Sequence, residues 1–167
     1  MMKKKGLTAL LAILFYTICI QGYNQNSIPD VRISTINGEP VSSTSFVNDG
    51  DPYLICFWKS CCNSSLKFIE ALNEVYPDLV DDYNIKVFAI AIDDSRTSDK
   101  VRPLVYGNAW ELDFFLDKNQ DLARAMNINL TPHCFVYDGE NNLIWQKTVC
   151  LEGDEYIIEE ALSKIDQ

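Results

Sequence analysis

The chain has 167 residues, of which 47% are hydrophobic and 23% charged, enough apolar material for one domain with a sizeable core and not the profile of a disordered chain. Acidic residues outnumber basic ones 24 to 14, giving a net charge of −10; such a surface is repelled by phosphate backbones, which argues against nucleic-acid binding. With one histidine, His133, there is neither a His-rich metal cage nor a spare histidine for a Ser-His-Asp site.

Residues 1–22 place three lysines before an apolar stretch from Leu7 to Ile20, followed by Gln21 and Gly22. This is the layout of a secretory signal peptide, with cleavage after Gly22. The apolar stretch is shorter than the ~20 residues a membrane-spanning helix needs. An uncleaved anchor is the alternative. A lipoprotein site at Cys19 fits poorly, because bulky Ile18 stands where a small residue is wanted. The expectation is an exported protein, periplasmic or envelope-associated, with no membrane span after cleavage and one domain over residues 23–167. That domain keeps Cys56, Cys61, Cys62, Cys134 and Cys150. An odd count where disulfides persist implies a free thiol or an intermolecular bond.

Val31 and Ile33 alternate with polar neighbours, as in an edge strand, and Asn37-Gly38 signals a turn before a weak strand or coil over Val41 to Phe46. Tyr53 to Trp58 (YLICFW) is a near-continuous apolar run and reads as a central strand buried on both faces. Ser64 or Ser65 caps a helix whose apolar face carries Leu66, Ile69, Leu72 and Val75, and Pro77 stops it after Tyr76. Ile85 to Ile92 is a second buried strand. A helix follows over Ser98 to Tyr106, then a short strand Phe114 to Leu116 and a short helix Gln120 to Met126. Strands at His133–Tyr137 and Leu143–Val149 flank a turn at Asp138 to Asn142. Gly153-Asp154 caps a last helix with Tyr156, Ile157, Ala161, Leu162 and Ile165 inward. Alternating strands and helices imply one α/β domain: a parallel central sheet with helices on both faces, extended by an antiparallel hairpin.

In open α/β sheets chemistry collects at the carboxyl ends of strands. Tyr53–Trp58 runs into Lys59-Ser60-Cys61-Cys62-Asn63-Ser64-Ser65 and then a helix, which puts Cys62 at the helix N-terminus. Free N–H groups and the helix dipole there stabilise a thiolate by roughly 0.3–2 kcal/mol. The competing reading is a buried, inert cysteine.

The chain resembles the thioredoxin superfamily, in particular the exported bacterial thiol–disulfide oxidoreductases of the TlpA kind. The lead-in IPDVRISTINGEPVS is similar to that group's N-terminal extension. YLICFWKSCCNSS resembles its strand, Phe-Trp and Cys-x-x-Cys segment. LDKNQDLARAMNINLTPHCFVYDGENNLIW resembles the approach to its cis-proline, the next strand and the hairpin turn. The resemblance implies a thioredoxin-like fold with a central mixed sheet and helices on both faces, no cofactor, and protein thiols or disulfides, or a low-molecular-weight thiol, as partners. Residue by residue, it implies that Cys62 is the attacking cysteine and that Thr131-Pro132 is the cis-proline dipeptide facing it.

Where the family has a second, resolving cysteine this chain has Ser65, so the motif is Cys62-Asn63-Ser64-Ser65. Cys56 falls where many thioredoxins bury a proton-shuttling acid. Exchange forms a mixed disulfide that a second thiolate must attack, and a serine hydroxyl is too weak an acid to supply it. Ser65 is left either donating to the Cys62 sulfur or capping the helix. Cys150, at the end of the strand after the hairpin, is either the missing resolving thiol, forming a bond with Cys62, or a small apolar filler. A Cys61–Cys62 bond would be strained, with Cα atoms only ~3.8 Å apart. Cys56 and Cys134 read as inert core thiols. His133 either tunes Cys62 or faces solvent on the rim. The acidic pairs Asp81-Asp82, Asp93-Asp94 and Glu159-Glu160 read as solvated. Peroxiredoxins share the fold but want a proline and a hydroxyl residue at fixed offsets before the reactive cysteine. Lys59 stands at the hydroxyl position and no proline fits. Two functions remain: an oxidoreductase using Cys62, and a binding module whose redox cycle has lapsed.

Overall fold

The computed structural model describes residues 28–165, so the expected signal segment at 1–22 lies outside the described residues. Strands β1 (Arg32–Thr35), β2 (Pro40–Ser42), β3 (Tyr53–Trp58), β4 (Lys86–Ala91), β5 (Asp113–Leu116), β6 (His133–Tyr137) and β7 (Leu143–Thr148) form one sheet in the order β2-β1-β5-β4-β3-β6-β7. β3, β4 and β5 run parallel. β6 pairs antiparallel with β3, and β7 with β6. Helices α1 (Asn63–Tyr83), α2 (Val101–Gly107), α3 (Asp121–Ala125) and α4 (Glu155–Leu162) connect and cover the sheet.

β3 is buried at all six positions because its alternating side chains enter two different cores. Leu54, Cys56 and Trp58 pack with Phe68, Ile69 and Leu72 of α1 and with Ile158 and Leu162 of α4. Tyr53, Ile55 and Phe57 pack on the other face with Phe46, Phe88, Phe135 and Leu122 of α3. Each such fully buried Leu, Ile or Phe contributes on the order of 1.5–3 kcal/mol. The two cores fix β3 as the centre of the sheet, and its carboxyl end carries the Lys59–Cys62 loop.

Four expectations are corrected. The β1 strand is not an edge. It pairs with β2 on one side and antiparallel with β5 on the other, leaving β2 outermost. The helix after Cys62 does not stop at Tyr76. It runs through Pro77 to Tyr83, and Asn84 ends it in the left-handed region, its N–H donating to the Val80 carbonyl at 2.9 Å. A mid-helix proline costs ~3 kcal/mol. Val75, Tyr76, Leu79 and Tyr83 all pack on the same core, so the apolar face is continuous across the proline and outweighs that cost. The expected helix Ser98–Tyr106 divides into a 3-10 turn at Ser98–Lys100 and α2, with Pro103 in the first turn of α2, where its missing N–H is not needed.

The last helix turns a different face inward. Glu155, Ile158 and Leu162 are buried, while Tyr156 (63%), Ile157 and Ile165 are exposed. Asp154 sets this phase: its carboxylate accepts from Lys147 Nζ at 2.7 Å and from the Leu151 N–H at 2.7 Å, which ties the start of α4 to β7.

Candidate active site

The loop after β3 is held from the neighbouring strand. Asp93 follows β4 and is buried. Its carboxylate accepts from the Ser60 N–H at 2.9 Å and from the Ser60 hydroxyl at 2.6 Å. Asp93 is therefore not the solvated acid expected; its partner Asp94 is half-buried and pairs with Arg96 at 2.7 Å. The Cys62 N–H then donates to the Lys59 carbonyl at 3.1 Å, closing a turn that delivers Cys62 to the start of α1.

Cys62 is itself the N-cap of α1, with extended backbone (φ −106°, ψ 115°), a role expected of Ser64 or Ser65. A serine or aspartate at this position aims an oxygen at the free N–H groups of the first turn. Here the sulfur stands in that place, close enough to feel the Ser65 N–H but short of a capping hydrogen bond of full geometry. The thiol pKa is lowered to about 7, chiefly by the Ser64 hydroxyl, 3.1 Å from Sγ, and next by the Ser65 backbone N–H. From the sequence Ser64 is only a candidate cap. Its place two residues into the helix, after a cysteine N-cap, is the signal that points to its contact with the thiol.

Ser65 is fully buried, and its hydroxyl makes no hydrogen bond of satisfactory geometry. It does not cap the helix, and it adds only a minor share to the Cys62 thiolate's stabilisation. Cys61 is exposed, and none of the five described cysteines is in a disulfide.

The Thr131-Pro132 peptide is cis. Phe57 pairs with His133, and extending that register one step puts Pro132 opposite Trp58, at the sheet end from which the Cys62 loop leaves. His133 is not a solvent-facing rim residue. Its ring stacks on Phe135 at 4.6 Å, Nδ1 lies 3.3 Å from the Thr148 hydroxyl, and burial lowers its pKa.

Cys150 is brought beside this region by its backbone, its N–H donating to the Pro132 carbonyl at 3.1 Å. Its side chain turns away from the rim: the thiol is fully buried and donates to the Lys147 carbonyl at 3.3 Å. The turn is made at Val149, whose φ of 58° is in the left-handed region. Lys147 lies opposite Cys134, so strict alternation would send Val149 to the same face and Cys150 to the other. The left-handed residue reverses this, leaving Val149 exposed and Cys150 in the core. A β-branched residue there stores backbone strain of order 1–3 kcal/mol. Val149→Gly is expected to raise unfolding stability by about 1 kcal/mol, the relieved strain exceeding glycine's added chain entropy. Equilibrium denaturation checks this; a loss of stability would mean the Val149 side chain is worth more than the strain.

Among the described residues, no group of three His, Cys, Asp or Glu side chains is placed to hold a metal. No described helix is long and apolar enough to cross a membrane.

The AhpC/TSA family model matches residues 25–146, well over half of the chain. The chain belongs to the AhpC/TSA family. An uncharacterized thioredoxin-like protein from Porphyromonas gingivalis is 34% identical over 82% of this chain and 90% of its own, with a TM-score of 0.73. The thioredoxin-like fold expected from the sequence is thus the fold of this family member. More distant likenesses include a thiol-disulfide oxidoreductase from Bacteroides fragilis (15% identity, 83% of this chain and 98% of that one, TM-score 0.65). Another is the bacterioferritin comigratory protein of Xanthomonas campestris, studied for alkyl peroxide reduction (14% identity, 82% and 92%, TM-score 0.68). At that distance the fold alone is shared, and it serves both chemistries, so function has to be argued from the site. No curated protein matches the chain.

Proposed function

We propose that the protein is an exported thiol–disulfide oxidoreductase of the TlpA kind, with Cys62 as its nucleophile in a Cys-x-x-Ser motif beside cis-Pro132. The observation that carries this reading is the Cys62 thiol at the head of α1, its pKa lowered to about 7 by the Ser64 hydroxyl and the Ser65 N–H. The thiolate attacks a substrate disulfide, forms a mixed disulfide and expels one thiol. With serine at position 65, a second thiol completes the cycle by attacking that bond. A low-molecular-weight thiol or a partner protein supplies it, or Cys150 does once its side chain leaves the core. The signal-peptide layout of residues 1–22 supports export. Lys59, where a peroxidatic site wants a hydroxyl, favours disulfide over peroxide substrates.

The buried Ser65 and the apolar surroundings of Cys56 favour a second reading, a binding module that has lost its redox cycle. Alkylation kinetics separate the two. Modification of Cys62, located by peptide mapping, is expected to reach half its maximal rate near pH 7. A thiol of pKa about 7 has roughly 15 times the thiolate of free cysteine at that pH, offset about fivefold by lower intrinsic nucleophilicity, so a net advantage of about threefold is expected. Ser64→Ala is expected to move the midpoint to about 8 and lower the thiolate fraction at pH 7 about fivefold. A wild-type midpoint at or above that of free cysteine would leave only the binding module.

A further inference from the structure

Three thiols play no part in a cycle run by Cys62 alone. Cys56, Cys134 and Cys150 are fully buried in one core cluster. Cys56 and Cys134 stand directly opposite each other in the antiparallel β3–β6 pair. The Cys150 thiol donates to the Lys147 carbonyl, and Lys147 stands opposite Cys134 in the β6–β7 pair, which sets the Cys150 side chain on the Cys134 side of β7 within the same core. Thiols that share one core cluster this way can bond once the backbone brings their Cα atoms within disulfide reach.

The three differ in how a reagent could reach them. Cys56 lies inside the wholly buried β3, and Cys134 is in β6 between β3 and β7, so exposing either means separating strands. Cys150 lies beyond the end of β7, between two residues that face solvent, Val149 (38% exposed) and Leu151 (55%). The backbone at Val149 is already strained. Opening this corner alone brings Cys150 out, the kind of local event that costs far less than unfolding.

We propose that Cys134 and Cys150 form a second redox site, a buried dithiol oxidised to an intramolecular disulfide by exchange with a low-molecular-weight disulfide. When the corner opens, Cys150 loses its proton to solvent and its thiolate attacks one sulfur of R–S–S–R. The Cys150–S–S–R bond forms, the reagent's S–S bond breaks, and one thiolate leaves and takes up a proton. As the corner returns, Cys134 gives its proton to solvent and attacks the Cys150 sulfur. The Cys134–Cys150 bond forms and the second RSH departs. The two cysteines lose two electrons, and one R–S–S–R becomes two RSH. Burial keeps the Cys134 proton in place while the corner is closed, so oxidation follows the opening rate. The product pins the segment between β7 and α4 to β6, two residues along the chain from Pro132. None of this depends on what Cys62 does.

The test uses the full chain, as wild type and with Cys61→Ser and Cys62→Ser together. Both are incubated with excess oxidised glutathione, with and without sub-denaturing urea, then alkylated in denaturant and mapped by peptide mass. The expected result in both is the loss of two alkylatable core thiols and a Cys134–Cys150 cross-link. In Cys150→Ser, Cys56 and Cys134 are expected to stay alkylatable. The proposal is overturned if all three core thiols stay alkylatable in urea, if the link joins Cys56 to Cys134, or if glutathione remains on Cys150. A dominant Cys62–Cys150 link in the wild type would also overturn it, by assigning Cys150 to the active site.

Discussion

Cys62→Ser is expected to abolish mixed-disulfide formation while leaving the protein as stable as wild type, or slightly more so. The two effects have one cause. Cys62 is the N-cap of α1, and serine is among the best residues for that position, gaining about 0.5–1 kcal/mol where its oxygen completes the capping hydrogen bond that the sulfur leaves open. The same change removes the thiolate that the helix end and Ser64 stabilise. Activity would be followed with a chromogenic disulfide and stability by urea denaturation. Retained exchange would move the nucleophile to Cys61, the exposed neighbour.

Ser65→Cys is expected to raise dithiol-driven disulfide reduction at least tenfold over wild type. Residue 65 is the third position of α1, and N-cap and third-position groups meet across the first turn. A cysteine there attacks the Cys62 mixed disulfide from within the molecule, and well-placed intramolecular reactions outrun bimolecular ones by large factors. The Ser65 hydroxyl has no hydrogen bond of good geometry to lose, so stability is expected to stay within about 1.5 kcal/mol of wild type. The gain would be checked by insulin reduction, and by peptide mapping of the oxidised variant for a bond between Cys62 and the introduced thiol. Unchanged turnover in a folded protein would mean that the apolar Cys56, where thioredoxins bury an acid, denies the second thiol its proton acceptor.

Much of this architecture is legible in the sequence because local pattern and tertiary burial agree. The YLICFW run could only be a strand covered on both sides, and two separate cores cover it. The parallel β3-β4-β5 core and the β6–β7 hairpin follow from element order. The failures lie where long-range contacts outweigh local rules. Pro77 is a stop signal locally, but the apolar face continues past it. Tyr156 and Ile157 look like an inward face until Asp154 is seen tied to Lys147 and Leu151, which rotates the helix. At the site, position along the chain puts Cys62 at the head of α1, where the structure has it. It does not show that Ser64 rather than Ser65 holds the sulfur, because both lie in one helical turn and only their orientation tells them apart. Nor does alternation place Cys150, since one left-handed residue before it reverses the face.

The grip of Asp93 on Ser60 bears on how partners would be met. One carboxylate holds both the amide and the hydroxyl of Ser60, two residues before the proposed nucleophile Cys62, and it does so from the next strand rather than from the loop itself. The segment bearing Cys62 is therefore set in place before anything binds. Little ordering entropy is spent on association. Encounter rates should then depend on collision and orientation, with only a shallow dependence on temperature. Asp93→Asn, which weakens the acceptor pair but keeps its shape, should slow capture by making the loop search for its own geometry first.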